Sequence, residues 1–161
     1  MNDDEKFMRM AIEQAKNAKS LGEVPIGAVV VRNGEVIGTG YNLREVMKDP
    51  TAHAELRAIK MASETLGGWR VLDSTLYVTL EPCPMCAGAI VQARIDRVVY
   101  GVNDPKAGCA GTILNLLQED RFNHQVEIKS GVLAEECSDI LKEFFRELRR
   151  KKKEEKGKII E

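Results

Sequence analysis

Two short stretches of the sequence carry the residue types of a metal site. His53 and Glu55 stand two positions apart in the first stretch, and Cys83 and Cys86 stand three apart in the second. Imidazole nitrogen and thiolate sulfur are donors that zinc prefers, and three protein ligands leave a tetrahedral zinc with one position for water. We therefore predict that His53, Cys83 and Cys86 bind one zinc ion. A carboxylate is not needed as a ligand, so Glu55 is predicted to shuttle protons.

Both stretches stand where helices should begin. Residues two apart on a helix point about 200° apart, so His53 and Glu55 can converge only on a target beyond its N-terminal end. Thr51 is predicted to cap this first helix, and the prolines on either side of Cys83 mark the start of the second. The partial positive charge of two helix N-termini would favour thiolates beside a metal.

Each half of the pattern also has a simpler interpretation. His53 could be a hydrogen-bonded histidine at a helix start, and the cysteine pair could be a redox pair or half of a structural zinc site. The other candidates for a fourth ligand are Cys109, Cys137 and His124. We expect the two cysteines to be small buried residues and His124 to be structural or to contact substrate. The two stretches together favour the catalytic interpretation.

Length and composition predict one domain, residues 1–150, followed by a basic and partly disordered tail, residues 151–161. The chain is 43% hydrophobic and 30% charged, with a formal net charge of −1. These values are typical of a soluble globular protein, and any binding of nucleic acid must come from a local patch. We see neither a signal peptide nor a membrane span. The few cysteines favour a reducing cytoplasm over a disulfide framework.

Hydrophobic periodicity and turn residues predict an α/β fold. Strand, helix and strand between residues 75 and 102 predict a parallel pair, with the cysteines at a strand's carboxyl end, where open α/β sheets bind ligands. The predicted architecture is a three-layer α/β/α domain with a mixed five-stranded sheet. Strands are predicted at 26–31, 35–41, 75–80, 97–102 and 126–128, helices at 3–21, 51–66, 83–94 and 133–153, and a helical turn at 113–117.

Two further features have alternative interpretations that the residues leave open. Asn42 ends the second strand, where it could form a turn or bind the edge of a base. Residues 146–158 contain eight Lys or Arg against three Glu. This basic run could be a solvated helix end or a patch that contacts phosphates. Residues 156–161 are expected to fray.

The motif H-x-E followed by P-C-x-x-C resembles that of the cytidine-deaminase-like superfamily. From about residue 5 to about residue 150 the chain closely resembles the bacterial tRNA adenosine deaminases, which convert a wobble adenosine to inosine. The segments that carry the resemblance are EVPIGA (23–28), GYN (40–42), DPTAHAE (49–55), LYVTLEPC (76–83), AGA (87–89), DPK (104–106), RVVYG (97–101), FNH (122–124), GVL (131–133) and FF (144–145).

The resemblance implies a function and a set of contacts. It implies zinc on His53, Cys83 and Cys86, with Glu55 as proton donor and acceptor. It implies a homodimer that binds the anticodon stem-loop of tRNA, with the adenine flipped into a pocket. Asp104 and Lys106 would lie at the entry to this pocket. The implied substrate contacts are Asn42, the backbone near Ala54, Pro25, Ile26, Leu80, Asp104 and Lys106.

Two other functions compete with this one. Pro84 between the cysteines is also common in free-guanine deaminases, so a deaminase of free nucleobases or nucleotides in salvage, of guanine or cytosine type, is the main alternative. Tyr41 stands where some tRNA deaminases have Trp. The third hypothesis is a non-catalytic zinc module that binds RNA, which would need four protein ligands on the metal.

Overall fold

The computed structural model describes the backbone of residues 2–160 and the side chains of residues 2–157. Within this part of the chain, five strands form one sheet, and, counted along the chain, they lie side by side in the order 2-1-3-4-5. The first strand is antiparallel to the second and third, and the last three are parallel. The predicted mixed five-stranded sheet is confirmed. The elements are α1 (Asp3–Ser20), β1 (Gly27–Arg32), β2 (Glu35–Tyr41), α2 (Ala54–Leu66), β3 (Ser74–Leu80), α3 (Pro84–Ala93), β4 (Arg97–Val102), a short 3-10 helix (Leu116–Gln118), β5 (Glu127–Lys129) and α4 (Ala134–Ile160).

Helices cover both faces of the sheet, as the three-layer prediction requires. Alternate residues of a strand point to opposite faces, so β1 contributes to two cores. Val29 packs with Phe7 of α1 and Cys137 of α4 on one face. Val30 packs with Ala58 of α2 and with residues of α3 on the other. The hairpin between β1 and β2 turns at Asn33-Gly34, where both residues have positive φ, as a type I′ turn requires.

The parallel pair β3 and β4 determines where the site lies. The two strands are joined by α3, so their carboxyl ends lie at the same edge of the sheet. β3 ends at Leu80, and α3 begins only four residues later at Pro84. Because this connection is so short, the start of α3 is held directly beyond the end of the strand.

A polar cluster anchors α1 at the opposite end of these strands. The Asp4 carboxylate accepts hydrogen bonds from Tyr77 Oη at 2.8 Å, from the Arg97 guanidinium at 2.9 Å and from Lys129 Nζ at 2.8 Å. The Arg97 guanidinium, with help from Lys129 and Tyr77, holds the pKa of Asp4 well below its usual range despite partial burial. The cluster joins the helix to three strands, far from the ends that carry the metal ligands.

The N-terminus of α2 differs from the prediction. The helix begins at Ala54 with His53 as its N-cap, rather than at residue 51 with Thr51 as the cap. The backbone N–H and the hydroxyl of Thr51 both donate to the Asp49 carboxylate, at 2.8 and 2.7 Å. This local turn uses the capping hydroxyl before the helix starts, so the helix begins later.

The 3-10 helix and α4 also differ from their predictions. The helical turn expected at residues 113–117 forms at 116–118, because the N–H groups of Ile113 and Leu114 donate to the Gly108 carbonyl. α4 runs to Ile160 instead of ending near residue 153. Its Lys, Glu and Arg residues favour helix, and Arg150 pairs with Glu147 within it. Of the segment expected to fray, residue 161 lies outside the described residues.

One side chain of α4 was assigned wrongly to the core. The spacing of apolar residues predicts that the buried side of this helix holds Ile140, Leu141, Phe144, Phe145 and Leu148. Phe145, however, is 40% exposed. The stripe that faces the sheet is narrower than predicted, with Cys137 and Ile140 buried on it. Among the residues that the structure describes, no helix is both long and apolar enough to span a lipid bilayer.

Candidate metal centre and active site

His53 and Cys83 occupy the same structural position at the starts of two helices. Each is the N-cap residue, with extended backbone and no side-chain hydrogen bond to the helix it precedes. Their side chains are therefore available to each other instead of to backbone amides. Cys86 follows in the first turn of α3, three residues after Cys83, which places both sulfurs at the same helix end.

The three predicted ligands converge on one point. His53 Nδ1 lies 3.6 Å from Cys83 Sγ and 3.6 Å from Cys86 Sγ, and all three atoms lie within 4.8 Å of one another. A tetrahedral zinc with ordinary Zn–S and Zn–N bonds separates such atoms by about 3.6 Å. In the described part of the chain, this is the one group of three or more such side chains brought so close. The spacing fits a zinc ion.

The electrostatics of the two cysteines favour binding a cation. The Cys86 thiol donates a hydrogen bond to Cys83, and contacts with His53 and the start of α3 add to it, so the pKa of Cys83 falls to about 4. The same hydrogen bond and burial raise the pKa of Cys86. The hydrogen bond with Cys83 also raises the pKa of His53. The pair therefore holds a thiolate at neutral pH, with the second thiol ready to lose its proton to a metal.

Glu55 lies beside this group in the first turn of α2. The residue is 4% exposed, and burial raises the pKa of its carboxyl to about 7, with the Cys83 thiolate adding to the effect and His53 opposing it. His53 and Glu55 reach the same cavity from the end of one helix, as their spacing predicts.

The cavity above the metal ligands has a volume of about 210 Å³. Sites that enclose a drug-sized ligand typically measure ~300–1,000 Å³, so this cavity can hold one base-sized group while the rest of a larger substrate stays outside. Apart from His53, Cys83 and Glu55, its lining residues are Val24, Ile26, Asn42, Arg44, Ala54, Leu80, Glu81, Asp104 and Ala107.

The predicted substrate contacts divide into two groups. Five of the seven line this cavity: Ile26, Asn42, Ala54, Leu80 and Asp104. The remaining two do not. Pro25 is buried between two lining residues, and Lys106 lines a separate groove against α4.

Asn42 makes turn contacts and also lines the cavity. Its Oδ1 accepts a hydrogen bond from the Arg44 N–H at 3.1 Å, and its Nδ2 donates to the Val24 carbonyl at 3.2 Å. These bonds are the turn contacts expected from the sequence. An amide side chain has two donor hydrogens and two acceptor lone pairs, so one of each remains for another partner. Asn42 also lines the cavity, so that partner can be a ligand.

Four lining residues were not singled out by sequence reasoning. Val24, Arg44 and Ala107 sit in loops beside predicted contacts, and no local pattern distinguishes them. Glu81 had a signal, because it is an acid between a buried strand and the Pro82-Cys83 pair. It is 2% exposed, and an acid at such a position needs hydrogen-bond partners.

The other three candidates for metal ligands have structural surroundings. Cys109 is buried, and its N–H donates to the Pro82 carbonyl at 2.9 Å. Cys137 of α4 is buried in the core between that helix, α1 and the sheet. His124 Nε2 lies 2.7 Å from the Ile95 carbonyl oxygen. These side chains are not among the ligand group, so the three-ligand arrangement expected of a catalytic zinc site stands.

Sequence comparison places this geometry among known proteins. The MafB19-like deaminase family matches residues 2–149. The tRNA-specific adenosine deaminase of Bacillus subtilis (strain 168) is 57% identical over 161 residues, the whole of both chains. That of Haemophilus influenzae is 51% identical over 155 residues, covering 96% of this chain and 90% of its own.

Comparison of structures gives the same result. A chain from studies of A-to-I editing by tRNA:A34 deaminases at the wobble position superposes with a TM-score of 0.81 and 43% identity. The match covers 84% of this chain and 99% of that one. The fold is therefore similar to that of a chain from studies of tRNA:A34 deaminases.

Proposed function

The chain belongs to the MafB19-like deaminase family, among its tRNA-specific adenosine deaminases, and from this premise we propose that it converts the wobble adenosine of a tRNA anticodon to inosine. The observation that carries the proposal is the cluster of three metal ligands beside a base-sized cavity that the buried Glu55 also lines. Because tRNA is its substrate, we expect the protein to act in the cytoplasm.

Zinc is the proposed cofactor, with one ion per chain. One imidazole nitrogen and two sulfurs at tetrahedral separations fit zinc, and the site keeps a position that these ligands do not fill. When bound there, zinc supplies a Lewis acid that lowers the pKa of water held beside it. His53, Cys83 and Cys86 are the residues proposed to hold it.

Glu55 is the proposed carrier of protons. Its carboxylate would accept a proton from the attacking water and deliver it to N1 of the adenine ring. Water attacks C6 as it loses this first proton. Glu55 then accepts the second proton from the new C6 hydroxyl and donates it to the exocyclic amine, which leaves as ammonia. Burial in the first turn of α2 fixes the carboxylate next to the reacting atoms and excludes bulk water from it. Glu55 is therefore an ionised carboxylate again when the reaction ends.

The walls of the cavity are proposed to orient the adenine. The apolar side chains of Ile26 and Leu80 can contact the faces of a planar base, and Asn42 offers its remaining donor and acceptor to a base edge. The backbone near Ala54 lies beside the metal ligands, and Asp104 also lines the cavity. A base that enters this cavity has left its stack, which an anticodon loop permits at lower cost than a duplex.

A groove between Lys106 and α4 is proposed to bind the anticodon backbone. Lys142, Arg146 and Arg149 line it together with the exposed ring of Phe145. Cations beside an exposed aromatic ring are the combination that binds single-stranded nucleic acid, through phosphates and stacked bases. The groove contains Lys106, and Ala107, which is next in sequence, lines the cavity, so one substrate strand could reach both.

Two neighbouring arginines of α4 test this groove. Arg149 lines it, whereas Arg150 pairs with Glu147 and Glu154 along its own helix. Arg149→Ala should weaken tRNA binding and reduce the slope of log affinity against log salt by about 1. Arg150→Ala is the matched control and should leave the slope unchanged. Equal effects of the two changes would favour a solvated helix end over a binding groove.

A homodimer is proposed on the basis of an exposed apolar surface. Trp69 is 55% exposed and stacks against Arg70, with the Arg94 guanidinium 5.9 Å from its ring. Arg94 also lines a groove with Phe122, which is 45% exposed. Aromatic and arginine side chains are enriched where proteins associate. Trp69→Glu should lower the mass measured by light scattering from that of a dimer to that of a monomer.

The test of the function is product formation by the purified chain with zinc. Transfer RNA with a wobble adenosine should release ammonia and gain inosine, whereas free guanine, cytidine and adenosine should not react at comparable concentrations. Glu55→Ala should retain one zinc ion and lose nearly all activity. Deamination of guanine without any of tRNA would instead support the salvage alternative. Four protein ligands in the zinc spectrum would support the non-catalytic module.

A further inference from the structure

The loop after β4 forms one wall of the cavity. Asp104 and Ala107 line the cavity from residues 103–112, a segment that contains neither helix nor strand apart from a single bridge at Ala110. A loop of this length needs other contacts to hold its shape. The wall therefore depends on whatever fixes the loop from behind.

A single carboxylate fixes it. Glu81 Oε1 accepts a hydrogen bond from the Asp104 N–H at 2.9 Å and another from the Thr112 hydroxyl. Its Oε2 accepts from the N–H groups of Ala110 at 3.0 Å and Thr112 at 3.1 Å. These four hydrogen bonds join Asp104, near the start of the loop, to Ala110 and Thr112 at its end. The carboxylate thus links the two ends of the loop.

The loop is folded closely around this group. A Cβ added at Gly108 would lie 2.4 Å from Glu81 Oε1 and 2.6 Å from the Asp104 carbonyl oxygen, so only glycine fits there. Glu81 itself is tied to β4, because its N–H donates to the Val102 carbonyl at 2.9 Å. Within the described part of the chain, no Lys, Arg or His forms an ion pair with Glu81. Its charge is balanced by the loop's own donors.

The site chemistry described above does not use this carboxylate. Its oxygens are directed at the loop amides and the Thr112 hydroxyl, whereas Glu55 is the buried carboxyl beside the metal ligands. At 2% exposure, Glu81 is shielded from solvent by the loop that it holds. A carboxylate bonded only to the loop acts on a substrate through the position of that loop.

We propose that Glu81 and Thr112 are positioning residues that hold the 103–112 loop as a wall of the substrate cavity and so determine how tightly the substrate is seated. The proposal rests on the proposed function for its kinetic prediction. The reacting atoms are held by the metal ligands and Glu55, on other elements. A displaced wall should therefore weaken binding of the substrate and its transition state alike, which raises KM and leaves kcat nearly unchanged.

Paired substitutions at two positions test the proposal. Thr112→Val removes the hydroxyl at nearly constant volume, and Thr112→Ser restores it. Glu81→Gln keeps the size of the side chain but points its NH2 group at donors of the loop. Loss of one hydrogen bond to a charged group corresponds to a loss of about tenfold in affinity for the substrate. We expect KM for tRNA to rise about tenfold in T112V and in E81Q, kcat to change less than about threefold, and T112S to restore KM.

Controls separate this role from general damage. Asp4→Asn breaks a polar cluster at the other end of the sheet, so it should lower stability without changing KM. Zinc content should stay at one per chain in T112V and E81Q. Hydrogen exchange at the amides of Asp104, Ala110 and Thr112 should be faster in E81Q than in wild type and D4N. This exchange measurement needs no deaminase activity.

Three results would overturn the proposal. A wild-type KM in both T112V and E81Q would show that the loop is not held by these residues. A fall in kcat together with loss of zinc would assign Glu81 to the support of Cys83 instead. Unchanged exchange in E81Q would exclude the restraint itself. If wild type forms no inosine from tRNA, the proposed function fails separately, and exchange alone decides whether Glu81 holds the loop.

Discussion

Replacing Gly40 with alanine should move the helix that carries Glu55, the proposed proton carrier. Gly40 lies in β2 directly beneath the first turn of α2. A Cβ built there would be 2.3 Å from the Ala54 carbonyl oxygen and 2.7 Å from the Ala58 nitrogen. Ordinary contacts begin at 3.4 Å, so the added methyl group lacks about 1 Å of space. Both atoms that it meets are backbone, which a side-chain rotation cannot relieve.

The expected size of the effect follows from that overlap. The helix must shift by roughly 1 Å at Ala54, and Glu55 and His53 are its immediate neighbours in sequence. A misplacement of about 1 Å at a reacting group costs about 100-fold in rate. Overpacking of this kind costs about 1–3 kcal/mol of stability. For a chain of this length, each kcal/mol lowers the melting temperature by about 2–4 °C.

The assay compares Gly40→Ala with a control on the opposite face of the sheet. A Cβ at Gly27 would lie 2.0 Å from the Ala11 carbonyl oxygen of α1, so Gly27→Ala causes a similar overlap with a helix that carries no site residue. Inosine formation gives kcat/KM, circular dichroism gives the melting temperature, and metal analysis gives the zinc content. We expect G40A to lose far more activity than G27A for a comparable fall in melting temperature.

Two outcomes would refute this reasoning. If G40A keeps wild-type activity and stability, the tight packing of β2 against α2 does not fix the position of Glu55. If G27A loses as much activity as G40A at equal stability, the losses reflect general destabilisation and not displacement of α2.

Three further changes have definite expected outcomes. The Arg97 guanidinium, with Lys129 and Tyr77, holds the pKa of Asp4 below its ordinary 3.8, so the ionised Asp4 carboxylate stabilises the fold above that pH and loses this effect as pH falls toward the lowered pKa. In urea titrations, the stability advantage of wild type over Asp4→Asn should therefore shrink below pH 4. A constant difference in stability would contradict this. Cys86→Ala should abolish activity. A zinc chelator should lower the melting temperature of wild type but not that of Cys86→Ala, and a fall in the variant too would mean that there is another metal site. Glu23→Gln should lower the free energy of unfolding, measured by urea titration, by about 1–3 kcal/mol, because the buried Glu23 carboxylate accepts hydrogen bonds from two loop amides. An unchanged free energy of unfolding would show that these hydrogen bonds are dispensable.

The fold was predictable because its signals are local. Alternation and turn residues placed the strands to within one or two residues, and the Asn33-Gly34 pair marked the hairpin correctly. Errors arose where a local hydrogen bond competed with helix, as at Thr51, or where helical propensity continued past the predicted end of α4. Phe145 was misassigned because hydrophobicity alone does not show how wide a helix's buried face is.

The metal ligands and the cavity walls differ in how far the sequence reveals them. The ligands stand at the starts of helices, so spacing within a helix turn and the end of one strand bring them together. The walls come from loops whose positions depend on contacts between residues more than 20 apart, such as Glu81 with Asp104 and Glu23 with Glu45. The spacing of hydrophobic residues does not reveal such long-range pairs, which is why Arg44 and Ala107 were missed.

The same contrast explains how one scaffold can serve different substrates. The ligands and Glu55 depend on two helix starts held at one sheet edge, and a substitution there removes the chemistry itself. The walls depend on loops that buried carboxylates hold by backbone amides, so a change in loop sequence can reshape the cavity while the carboxylate keeps its partners. Substrate choice is therefore expected to depend on the loops near residues 44 and 107, and exchange of either loop should change KM for tRNA before it changes zinc content.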